Sequence, residues 1–123
     1  MSYKDFVSRA MQQDARNVFA VSDRVPDIVP QSLRGFYNEY NPVDVEIDTE
    51  KYGAIRFYGV DELQRLVEEY YFFPKGIFIF ATCNGEPFFV DKNDYHVYTS
   101  LESEYRPEEV ANDFISFLKS CTE

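Results

Sequence analysis

IFIFATCNGEPFFVD, residues 77–91, consists of two apolar runs joined by Asn84 and Gly85. These two residue types tolerate the positive φ of a two-residue hairpin turn, and between apolar runs they are the strongest short-range hairpin signal. The stretch predicts strands over 77–82 and 87–91. Lys92, Asn93 and Asp94 fit a three-residue loop into a further strand over 95–99, which makes a meander. In that register Ala81 faces Phe88, Phe80 faces Phe89, Val90 faces His96 and Phe89 faces Val97. One face then holds Ile77, Ile79, Ala81, Phe88, Val90, His96 and Tyr98, and the other Phe78, Phe80, Phe89, Tyr95 and Val97. Both faces are apolar, whereas a sheet backed by helices on one side normally shows polar residues on the other. Either loops, the N-terminal helix or a second subunit cover the second face, or it is a partner-binding groove of Phe and Tyr.

Working outward, Tyr3, Phe6, Val7, Ala10 and Met11 recur at helical spacing and predict an amphipathic helix ending near residue 17. Residues 22–30, with two prolines and two aspartates, read as a loop. Leu33, Phe36, Tyr37 and Tyr40 predict a short helix between Pro30 and Asn41–Pro42. A strand follows over 54–58, and Asp61 is placed to cap a helix carrying Leu63, Leu66, Val67 and Tyr70, closed by Pro74 and Gly76. Pro107 suits the first position of a last helix, with Glu108 and Glu109 in its first turn and Val110, Phe114, Phe117 and Leu118 as its apolar face. Helices flank the strands instead of alternating with them, so the expected class is α+β: one domain over 1–123, an antiparallel meander with N-terminal, middle and C-terminal helices.

Before that second strand, Asp44, Glu46, Asp48 and Glu50 alternate with Val43, Val45 and Ile47. A period of two reads as a strand with a buried aliphatic face and an acidic stripe outward. The plain reading is a solvated strand face; the functional one is a surface for a positively charged partner, because like charges repel one another until a cation meets them. The candidate partner-binding residues are Asp44, Glu46, Asp48 and Glu50 together with Phe78, Phe80, Phe89 and Tyr95.

Charge and composition narrow the classes. The net charge is −10, and the residues after 36 carry seven basic and eighteen acidic side chains. Binding a polyanion needs Lys or Arg to displace counterions, so nucleic acid is disfavoured and a basic protein is the better partner. No apolar run approaches the roughly 20 residues of a membrane span, and the N-terminal residues lack a signal-peptide core. A cytoplasmic protein, monomeric or weakly dimeric, is expected, with Cys83 and Cys121 as free thiols.

Specific chemistries find little to stand on. The run from Asp44 fails as a calcium loop, since Thr49 stands where the tight turn needs Gly and Ile55 where the bidentate Glu belongs. Cys83 and the single histidine, His96, lack any recognised nucleophile signature, and there is no GxSxG elbow. Without Trp a sugar platform is missing, and five scattered glycines make no phosphate loop. The expectation is no catalytic residue, no cofactor and no metal.

Several strings in order resemble one family. Residues 29–41, VPQSLRGFYNEYN, are similar to the LP, polar helix start and FL..YNG opening of the SUKH superfamily of Smi/Knr-like domains. Residues 55–63, IRFYGVDEL, resemble its strand entering a short helix, and 77–91 its hairpin. The strand near 95–98 and the C-terminal helix around FISFL, residues 114–118, complete a resemblance over nearly the whole chain. Ser100 and Leu101 stand where the family has an acidic residue and a histidine, so no ligand site is carried over. The resemblance implies a non-enzymatic α+β binding domain, in bacteria an immunity protein that neutralises a toxin domain, often a nuclease. The alternative it implies is a regulatory or scaffolding domain of the Smi/Knr type without a toxin partner.

Overall fold

Asn84 and Gly85 adopt φ of 52° and 84° and close the hairpin in the way their side chains permit. The computed structural model describes residues 2–123. In chain order its elements are α1 (Tyr3–Gln13), β1 (Val18–Ala20), a 3-10 turn (Gln31–Leu33) running into α2 (Arg34–Glu39), β2 (Asn41–Thr49), β3 (Gly53–Phe57), α3 (Leu63–Glu69), β4 (Ile77–Cys83), β5 (Glu86–Asp91), β6 (Val97–Thr99), β7 (Glu108–Ala111) and α4 (Phe114–Cys121). Every strand pairs antiparallel with its sequence neighbours, in the order β1 to β7. The fold is α+β, a seven-stranded antiparallel meander with helices at its N-terminus, middle and C-terminus.

The inner face of the sheet carries Val45, Ile47, Ile55, Phe57, Phe78, Ala81, Phe88, Val90 and Val97, all buried. Aromatic rings from α1, α2 and α4 pack onto it: Phe6 on Phe57 at 5.6 Å between centroids, Tyr37 on Phe78 at 5.9 Å, Phe114 on Phe80 at 5.0 Å and Phe117 on Phe88 at 5.1 Å. The edge-to-face angles of the Tyr37 and Phe114 pairs, 86° and 90°, set positive ring edges against negative ring faces, which adds to area burial.

The outer face is covered over part of its width only. Ile79, Phe89 and Tyr98 share it, since Ile79 and Tyr98 both pair with Phe89. The chain itself supplies their cover. α3 packs on β4, Phe73 stands 6.4 Å from Phe89 and 5.3 Å from Tyr105, and Tyr105 lies 6.0 Å from Phe89. The Tyr70 hydroxyl donates to the Gly85 carbonyl at 2.5 Å, which ties the end of α3 to the hairpin turn.

The expected register is corrected in two places. Phe80 sits in an irregularity between Ile79 and Ala81, so Phe89 pairs with Ile79 instead of Phe80; the extra residue lets both Phe80 and Ala81 lie on the core side. The loop after β5 takes up Tyr95 and His96 as well, with Tyr95 at φ 60° and its N–H bonded to the Asp91 carbonyl at 2.7 Å. Val90 therefore faces Val97, and Phe89 faces Tyr98. A one-residue slip exchanges faces, so Val97 belongs with the core face and His96 with neither.

Element ends differ too. α1 stops at Gln13, where Asp14 turns extended and its carboxylate accepts the Arg16 N–H at 2.9 Å. The chain freed by this stop forms β1, an unexpected strand. Asp61 is not a cap: α3 starts at Leu63 behind Glu62 with no side-chain cap bond, and ends at Glu69, short of Pro74 and Gly76. Pro107 precedes a strand instead of opening a helix. Glu108–Ala111, Val110 included, satisfies the free edge of β6, and α4 begins only after Asp113, whose carboxylate accepts the Ser116 N–H at 2.8 Å. That carboxylate cap defines the true start.

Candidate functional site

β2 obeys the period of two at its centre: Val45 and Ile47 are fully buried, while Asp44, Glu46 and Asp48 are exposed. Val43 departs from its expected place in the buried face and is 49% exposed, beside the irregularity where Val18 faces Asp44 and Phe19 faces Pro42. The three carboxylates stand roughly 7 Å apart along one strand, a spacing that suits several separate contacts better than joint grip on one ion. Glu50 continues the series, exposed, in the turn after β2.

The edge beside this stripe is closed by side chains. β1 pairs only with the first part of β2. Beyond it, Asn17 accepts the Glu46 N–H at 2.9 Å and donates to the Ala10 carbonyl at 2.8 Å. Gln13 completes the imitation of a neighbouring strand, accepting the Asp48 N–H at 2.7 Å and donating to the Asp48 carbonyl at 3.0 Å. With these backbone groups satisfied, β2 is held in place and blunted as a template for another strand.

Across the sheet, Arg56 on β3 pairs with Glu46 and reaches Asp44 at 3.2 Å. Both side chains are well exposed, so the pair adds little stability. The Arg56 and Arg65 guanidinium carbons lie 5.6 and 5.7 Å from the centre of the Tyr58 ring, whose hydroxyl meets the Thr82 hydroxyl at 2.8 Å. The open part of the outer face thus sets three carboxylates of β2 against one guanidinium of β3, bordered by a cation-flanked tyrosine. A partner carrying several positive charges relieves the repulsion within the stripe.

The other expected site residues do not join this surface. Phe78 and Phe80 are in the core on the inner face, and Phe89 is buried on the outer face. The expected aromatic groove is not assembled: Phe78 and Phe80 lie on the inner face and Phe89 on the outer one, all three buried beneath other parts of the chain. Tyr95 is exposed, in the loop after β5, on the far side of β3 and β4 from the stripe. Arg56, Tyr58, Gln13 and Asn17 were absent from the expected set. Alternation with Ile55 and Phe57 is the signal in the 54–58 strand that marks Arg56 and Tyr58 for the outer face, and it was not used; the capping by Gln13 and Asn17 depends on tertiary placement alone.

Cys83 and His96 lie at opposite ends of β5, one before the 84–85 turn and the other in the loop after Asp91. The Cys83 thiol donates to the Tyr52 carbonyl at 3.0 Å and burial pushes its pKa up; burial raises Cys121 to about 12. Neither thiol is primed for attack. Among the described residues, no helix is long and apolar enough to cross a membrane.

These features define a class: a small α+β domain in which helices back an antiparallel meander whose outer face, over β2, is open and acidic. The chain belongs to the SMI1 / KNR4 family (SUKH-1), whose model matches residues 28–120. This family includes immunity proteins of polymorphic toxin systems, and its members are generally non-catalytic immunity or regulatory domains. No curated protein matches the chain.

Proposed function

We propose that this chain is an immunity-type protein that binds a cognate toxin domain and occludes a basic surface on it with the stripe of Asp44, Glu46 and Asp48, Glu50 adjoining. The observation that carries the reading is the exposure of these carboxylates on a strand whose edge is already closed, in a chain with net charge −10. A nuclease toxin is basic where it meets its substrate, so an anionic inhibitor gains both complementarity and encounter rate. The test pairs the chain with the toxic C-terminal domain of a secreted protein encoded beside it. Co-expression relieves toxicity, and the triple variant Asp44→Lys, Glu46→Lys, Asp48→Lys, still folded, does not. Full protection by that variant contradicts the stripe's role.

A second reading, a regulatory or scaffolding domain without a toxin, is favoured by a different surface. A groove of about 500 Å³ runs between α3 and β4, lined by Leu63, Val67, Tyr71, Phe73 and Ile79 among others, and Tyr71 is 82% exposed beside it. Loss of a non-toxin partner in Tyr71→Ser, with the stripe variant unaffected, supports this reading over the first.

A further inference from the structure

The β6–β7 pairing brings together side chains that the sequence keeps apart. Tyr98 pairs with Glu109 and Val97 with Ala111, so Glu109 comes beside the loop after β5. Tyr95 at φ 60° turns that loop so that Asp94 and His96 lie together. The result is one imidazole and two carboxylates whose ligand atoms all lie within 4.8 Å of one another. His96 Nδ1 contacts Glu109 Oε1 and lies 3.8 Å from Asp94 Oδ2. Behind them the Tyr98 hydroxyl donates to Asp94 Oδ2 at 2.5 Å, the kind of outer-shell bond that fixes a ligating carboxylate.

We propose that Asp94, His96 and Glu109 form a site for a divalent transition ion, zinc being the best match. One nitrogen and two carboxylate oxygens are a donor set that zinc accepts in tetrahedral geometry with water in the fourth position. A site of imidazole and carboxylates disfavours softer ions that call for thiolates, and the single nitrogen separates it from all-oxygen calcium sites. The ligands come from the loop after β5 and from β7, the short strand at the sheet's edge. The ion clips that edge strand to the loop and so steadies the segment entering α4. This site lies apart from the acidic stripe and is independent of the toxin-binding reading.

The histidine is the only one in the chain, which makes the test direct. Zinc chloride is titrated into the full chain in a non-chelating buffer, followed by calorimetry and by the imidazole proton and nitrogen signals. The expected result is one saturable equivalent at sub-millimolar zinc, with the His96 signals shifted in step and calcium producing no such shift. His96→Asn and Glu109→Gln each weaken binding by at least about tenfold, while Asp44→Asn, Glu46→Gln, Asp48→Asn together leave it unchanged. Imidazole signals unmoved by zinc, or an affinity that His96→Asn does not alter, overturn the site and leave a plain ion pair.

Discussion

Over β4 to β6 the outer face of the sheet carries Ile79, Phe89 and Tyr98, roofed by Phe73 and Tyr105; over β2 and β3 the same face carries Asp44, Glu46, Asp48 and Arg56 and meets water. The difference follows from what cover is worth. Burying a large apolar side chain contributes about 1.5–3 kcal/mol, so the aromatic half repays the ordering of α3 and the loop carrying Tyr105. Taking carboxylates out of water costs several kcal/mol per ion even after relaxation, so the acidic half gains nothing from cover within its own chain. It is stable when wet, which is what the proposed binding to a positively charged partner requires. One sheet thus separates the part that holds the fold from the part offered outward.

The largest expected effect lies in the covered half. Phe89→Ala removes a fully buried ring and is expected to cost about 3–5 kcal/mol, read as a lower denaturation midpoint in urea. A loss below 1 kcal/mol would show that the roof is loose and the two halves less different than described. Next comes the corner where the chain leaves β3 for α3. A Cβ on Gly59 would meet the Pro42 carbonyl oxygen at 2.0 Å, a backbone atom that cannot swing aside, so Gly59→Ala is expected to cost about 1–3 kcal/mol. The same melt checks it.

A smaller effect concerns the inner layer beneath both halves. Asp113→Ala removes the α4 cap and is expected to cost about 1 kcal/mol at neutral pH. The Asp113 carboxyl is held below its usual 3.8 by its hydrogen bonds to Ser116. A depressed folded pKa gives stability that is present above the unfolded value and lost as pH falls through the folded one. The gap between wild type and Asp113→Ala should therefore be full above about pH 4–5 and close below pH 3.8; denaturation at a series of pH values measures it. The smallest effect belongs to the open half. Asp44→Asn, Glu46→Gln and Asp48→Asn should each change stability by no more than about 0.5 kcal/mol, and together should stabilise slightly at low salt by relieving repulsion.

Much of this contrast was legible in the residues. Asn84–Gly85 specified the hairpin, and strict alternation from Asp44 to Asp48 specified which side chains face water. The roof was not legible, because Phe73 and Tyr105 reach Phe89 from remote positions with no periodicity to announce them. The irregularity at Phe80 also escaped, since an extra residue in an all-apolar run leaves the pattern unchanged. β7 was hidden by its composition: Pro107, Glu108 and Glu109 are good helix-start residues, and only the free edge of β6 made them a strand. The same pairing assembles Asp94, His96 and Glu109, so that cluster was invisible for the same reason. In the stripe, the carboxylates were legible and their support by Gln13 and Asn17 was not.

The most direct test of the open half is the association rate with the proposed toxin domain as salt is varied. For the wild type, the rate should fall steeply with ionic strength. The triple variant Asp44→Lys, Glu46→Lys, Asp48→Lys should associate at least about tenfold more slowly at low salt and lose most of that salt dependence. Equal rates and equal salt slopes for the two proteins would contradict a binding role for the acidic stripe.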